Sequence, residues 1–150
     1  MSIDTSKMLG KVLIKGNSTQ IPTENIGATA VAPGYIIQLD DKRQVVTSDG
    51  VNSYGVSTPD TIPNLTQSII TKGRKVLVRA EESLSGLTIG GLMYATASGT
   101  VTNVAAGAKW SVGRLHATEY VVGYSSINDV ITSVPNCLYI DVDFNKLAEV

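Results

Sequence analysis

Glycine sets the grain of this sequence. Fourteen glycines fall between short runs rich in Val, Ile, Thr and Tyr. That punctuation confines the chain to many short strands joined by tight turns, because a helix needs a longer uninterrupted stretch. The runs are KVLI (11–14), YIIQL (35–39), QVVT (44–47), SYGVS (53–57), KVLVRA (75–80), LMYAT (92–96), TVTNV (100–104), WSVGRL (110–115), YVVGY (120–124) and CLYIDVDF (137–144). Spaced about 8 to 12 residues apart, they predict an all-β fold, a single-domain β-barrel or β-sandwich of about 9–11 short strands with little helix.

Where the runs are longest the period is two. Val76, Val78 and Ala80 fall on one side of a strand, and Lys75, Leu77 and Arg79 on the other, which predicts one buried face and one that is wet or binds. The last run repeats the pattern, with Leu138, Ile140, Val142 and Phe144 opposed to Cys137, Tyr139, Asp141 and Asp143. Phe144, the only phenylalanine, is expected in the core. The terminal NKLAEV is too short to hold a helix without packing, so it is expected to fray or dock.

Residues 34–57 and 91–115 resemble each other: glycine, apolar strand, polar turn, Val/Thr strand, second turn, an aromatic, then Gly and Val together. Glycine-punctuated β sequences also converge by chance, but on either reading each segment predicts a hairpin, with the later glycine at a corner or bulge. Two stretches read as irregular. Residues 16–33 and 57–68 hold four of the five prolines with abundant Thr, Ser and Asn, which suits long loops. Residues 1–31 are therefore expected to form an N-terminal arm that packs on a neighbouring subunit, and 57–71 an excursion from the barrel. No linker divides the chain.

Composition narrows the function classes. With a formal net charge of -1, the chain has no global attraction for nucleic acid or an anionic membrane. Charged residues make up 17%, against roughly 25% in an average soluble domain, so apolar surface is expected to be covered by self-association. A single cysteine, Cys137, rules out an intrachain disulfide and any Cys-rich zinc site. The N-terminus lacks the apolar stretch of a signal peptide, and no uncharged apolar run reaches the length of a membrane span, so the protein is expected to be made in the cytoplasm.

Few residues of this chain suit catalytic or metal chemistry. His116 is the only histidine, and no nucleophile-elbow motif marks a serine for it; it reads as a surface or strand-end residue. Asp141 and Asp143 on one strand face, with Asp40 and Asp41 at a turn, would suit a hard cation, but no loop has calcium-binding spacing and a solvated face is the expectation. Glu81 and Glu82, adjacent on a strand, point apart and form no acid/base pair. No phosphate-binding glycine loop is present. Neither an enzyme, a cofactor nor a small-molecule ligand is expected. The basic cluster Lys72, Arg74, Lys75 and Arg79 reads as a solvated strand face, or as a dock for an acidic patch on a partner or a stretch of phosphate backbone. Tyr120, Val122 and Tyr124 share a face that would serve a subunit interface or a sugar, and Trp110 with the tyrosines offers a carbohydrate platform.

The succession GYII, VVTSDG, YGVS, GRKVLVRA, LTIGGLMY, ASGTVTN, WSVGRL, VVGY and CLYIDVDF, across residues 28–144, resembles the head-decoration proteins of tailed bacteriophages. That resemblance implies a β-barrel or β-sandwich that oligomerises, often as a trimer, and binds the outside of the capsid at junctions between major capsid subunits, without catalytic residues. The 57–71 excursion is longer than that compact pattern. The resulting expectation is a virion protein made in the host cytoplasm whose partners are the major capsid protein and itself. Its contacts are expected at Lys11 and Lys15 on the arm, at Arg74, Lys75 and Arg79 on the basic strand, and at Tyr120 and Tyr124. The competing expectation is a carbohydrate-binding module or fibre segment.

Overall fold

The computed structural model describes residues 17–27, 29–62, 64–127 and 130–148. Among them are twelve strands and no helix, and the choice between barrel and layered sheets resolves into both. A closed barrel contains β2 (Thr23–Ile26), β4 (Gln44–Thr47), β3 (Ile36–Leu39), β5 (Gly55–Ile62) and β6 (Thr66–Ile70), in that order around the ring. Its β2–β4 pair is parallel and the others are antiparallel. The second layer is a seven-stranded sheet ordered β1 (Asn17–Gln20), β7 (Lys72–Arg79), β12 (Val130–Lys146), β10 (Trp110–Leu115), β8 (Leu92–Ala95) and β9 (Val101–Thr102), with β11 (Val121–Ile127) paired to β12.

Two stretches expected to be irregular are strands. Within the expected 1–31 arm, residues 17–20 form β1 against β7, and 23–26 form β2 inside the closed barrel. Lys11 and Lys15 lie outside the described residues. The 57–71 excursion is the β5–β6 hairpin, a wall of the barrel. Two of the prolines misled because they fall where a ladder bond is not needed: Pro59 sits where the β5–β6 register slips between Ser57 and Thr61, and Pro22 in the corner between β1 and β2.

That corner joins the layers. The chain leaves the sheet for the barrel at Ile21–Pro22 and returns at Thr71, and the two crossings run side by side: Ile69 N donates to Pro22 O and Thr71 N to Gln20 O. A strand pair that switches sheets in this way makes a bend with a wedge of space beside it.

Three apolar clusters follow from the alternation. The main core lies between the layers: Ile36, Val56 and Ile70 of the barrel meet Val76, Val78, Val112, Leu138, Ile140 and Val142 of the sheet, with Phe144 partly buried against them. The barrel interior holds Ile26, Ile37, Val45 and Ile69. The third cluster corrects an expectation. Leu77 and Cys137, assigned to a face expected to be wet or to bind, are fully buried under Val121, Val134 and Tyr139 on the far side of the sheet.

Buried polar groups complete the barrel. Gln67, fully buried on β6, donates from Nε2 to Val31 O (2.7 Å) and Thr58 O (2.8 Å) and accepts from Val31 N (3.2 Å). One amide thus serves as a missing strand partner for the segment before β3. Glu24, facing inward beside Ile26, accepts from the Tyr54 hydroxyl and pairs with Arg43 at 3.4 Å. Burial and the Glu24 carboxylate push the Tyr54 phenol up to about 12.

The internal similarity is structural. In both segments the first strand is central, paired on one side to the second and on the other to the third, giving β4-β3-β5 and β9-β8-β10. Their first turns are bonded alike: Asp40 Oδ1 accepts from Lys42 N and Gln44 N, and Thr96 Oγ1 from Ser98 N and Thr100 N. The fourth turn residue is left-handed in each, Arg43 at φ 57° and Gly99 at φ 79°.

Candidate partner-binding face

The face of the seven-stranded sheet turned away from the barrel divides in two. One half is sealed by the Leu77–Cys137 cluster. The other is a charged trough of about 760 Å³ across β7, β12, β10 and the start of β8.

Two bulges shape it. On β7, Arg74 and Lys75 together oppose Asp141, since Val76 pairs with Ile140 and Gly73 with Val142. Lys75 takes a left-handed φ of 56°, which turns its N–H out of the ladder. Asp141 Oδ1 accepts that N–H at 3.0 Å, and His116 Nδ1 lies 2.9 Å from the same oxygen. The second bulge is on β12, where Asp143 and Phe144 oppose Val112. Between the two, β10 presses directly on β12. A Cβ at Gly113 would sit 2.1 Å from Asp141 O, so the crossing admits only glycine. Gly73 and Gly113 form a floor without side chains, and Lys72, Arg74, Arg114, Leu92 and Asp143 rise around it.

The charges are unequal in availability. Asp141 is occupied by Lys75 N and His116, and Asp143 stands opposite Lys72 in the β7 register. The Lys75 ammonium lies over the Tyr139 ring, 5.4 Å from its centroid. Arg114 reaches back to Gly90 O at 2.8 Å. Among the described residues neither Arg74 nor Arg114 has a carboxylate partner, and both are exposed. The trough therefore presents two guanidiniums with donors open to a carboxylate, Arg114 keeping its bond to Gly90 O.

Several sequence-nominated residues turn out to brace the fold. Arg79 is half-buried, donating from Nε to Pro33 O (2.8 Å) with its guanidinium 4.3 Å over the Tyr35 ring, so it ties β7 to the segment entering the barrel. Tyr120 donates its hydroxyl to Glu81 O and accepts from Leu84 N, clipping the loop after β7. It does not share an open face with Val122 and Tyr124, because its ring packs on the main core while Val122 is exposed. Tyr124 lies on β11 opposite Ser133, in a ribbon where, among the described residues, β12 pairs only with β11. Cys137 is buried, and desolvation pushes its thiol up to about 11. His116 positions Asp141; among the described residues no hydroxyl or thiol hydrogen-bonds to it. No group of three His, Cys, Asp or Glu side chains gathers among the described residues.

Arg114 and the glycine floor escaped the sequence reading. The V-G-R step in WSVGRL is the only trace of them, and its meaning depends on Asp141, remote in sequence. No family model matches this chain, and neither a curated protein nor a solved structure matches it.

Proposed function

We propose that this is a viral structural protein, a capsid decoration protein that binds the exterior of a phage head as a homo-oligomer, and that the trough faces the shell. The observation that supports this best is the trough itself: two guanidiniums without carboxylate partners on a rigid, glycine-floored surface, a form suited to an extended acidic segment of a major capsid protein. A phosphate backbone fits less well, since its affinity grows with the number of cations that neutralise it, and this chain of net charge -1 leaves two guanidiniums open in the trough. The sequence resemblance to head-decoration proteins supplies the biological setting.

The strands that carry these contacts are preorganised, so the ordering cost of binding falls on the exposed arginine side chains. The test is co-sedimentation with heads stripped of decoration. The parent protein is expected to pellet with them, and Arg74→Glu with Arg114→Glu to lose at least tenfold in affinity while keeping its solution mass and thermal midpoint. Failure of the parent protein to pellet would refute the function; an unchanged double variant would remove the trough from it. Light scattering tests the assembly, with a trimer expected at three times the 15.8 kDa chain mass.

A further inference from the structure

A second concavity lies at the seam where the strand pairs switch layers. It is a cleft of about 690 Å³ whose walls include Trp110, Tyr54, Phe144, Ile21 and Pro22, with Asp143 and Gln20 among its polar groups. We infer that this cleft is a saccharide-binding subsite, a role other than shell binding, although Asp143 borders both the cleft and the trough.

The wedge follows from the fold. The chain bends between sheet and barrel at Ile21–Pro22 and again at Thr71, and both bends border the cleft. Tyr54 is held against the barrel core and Phe144 against the main core, so these two walls are fixed before any ligand arrives. Trp110 differs from both. It is half-buried yet belongs to none of the three core clusters, and Ile21 beside it is 51% exposed. The core therefore does not account for the indole's place at the cleft.

Rings together with a carboxylate and an amide are what a pyranose requires. Its C–H face packs on an aromatic ring, and its hydroxyls donate to a carboxylate and exchange bonds with an amide. A proline-rich peptide would also stack on the rings, but its backbone offers carbonyl acceptors that the Asp143 carboxylate repels. The chemistry favours a neutral sugar.

Trp110 is the only tryptophan in the chain, so its fluorescence reports this cleft alone. The experiment titrates the full chain with cellotriose, maltotriose and chitotriose to about 20 mM, well above the millimolar range of weak sites. At least one triose is expected to shift the emission saturably. Trp110→Phe, followed by ligand-observed NMR, is expected to weaken that triose several-fold. Ile21→Asp, at the exposed lip, is expected to weaken it about tenfold and guards against a misfolded Trp110 variant. Absence of a saturable response with all three sugars overturns the inference, as does unaltered affinity in both variants. No heads enter the experiment, so its result is independent of shell binding.

Discussion

Replacing Gln67 by leucine tests whether a single amide closes the barrel. The side chain is fully buried, and its three hydrogen bonds all reach main-chain groups of other segments, Val31 N, Val31 O and Thr58 O. Leucine keeps the bulk but removes all three bonds. Thr58 is only 3% exposed, so its carbonyl bears most of a buried-group penalty of about 1–3 kcal/mol. Val31 is partly open to water, and its two lost bonds cost about 0.5–1 kcal/mol each. Leucine packed among Ile26, Ile37, Val45 and Ile69 returns about 1 kcal/mol. The net loss is about 1–4 kcal/mol, which for a chain of this length lowers the thermal midpoint by about 2–16 °C. Circular dichroism melting measures that drop, and hydrogen exchange is expected to show early loss of protection at the Val31 amide. A variant that melts within about 1 °C of the parent, with the Val31 amide still protected, would refute the reasoning.

Other consequences follow from particular atoms. Ser125 Oγ is a buried hydroxyl with no partner among the described residues, so Ser125→Ala is expected to raise stability by about 1 kcal/mol in urea unfolding. Gly113→Ala would drive a Cβ into Asp141 O and is expected to cost about 2–4 kcal/mol and to abolish head binding along with the trough; urea unfolding and co-sedimentation check the two parts. The buried Cys137 thiol ionises only near 11, above its ordinary value of 9.0. Between those values the unfolded chain has lost a proton that the folded chain keeps, so stability falls as pH rises from 9 to 11. Cys137→Ala is expected to flatten that slope in pH-dependent unfolding. The parent thiol is expected to resist iodoacetamide at pH 8 until the chain is denatured, which mass spectrometry reads directly.

What the sequence made legible was whatever alternation controls. Val76, Val78, Leu138, Ile140 and Val142 read as one buried layer, and they form it. The missed strands β2 and β6 carry polar residues on their buried face. Glu24 and Gln67 look like loop residues until the barrel surrounds them with Tyr54, Arg43 and Val31. Leu77 and Cys137 lay on the face opposite the main core, and only the cover of Val121, Val134 and Tyr139 buries them. The trough was illegible for a related reason. It exists because bulges on two neighbouring strands fall at one level, and register between strands remote in sequence leaves no periodic trace along either one. Arg79 and Tyr120 show the converse: a basic residue and an aromatic at plausible contact positions are engaged within the molecule.

The central claim, that the trough meets a viral shell, is tested most directly by cryo-electron microscopy of stripped heads with the protein added back. Added density is expected on the outer surface with β7, β12 and β10 toward the shell, Arg74 and Arg114 against an acidic segment of the major capsid protein, and the barrel pointing outward. Heads that gain no density, or density that places the barrel against the shell with the trough in solvent, would contradict it.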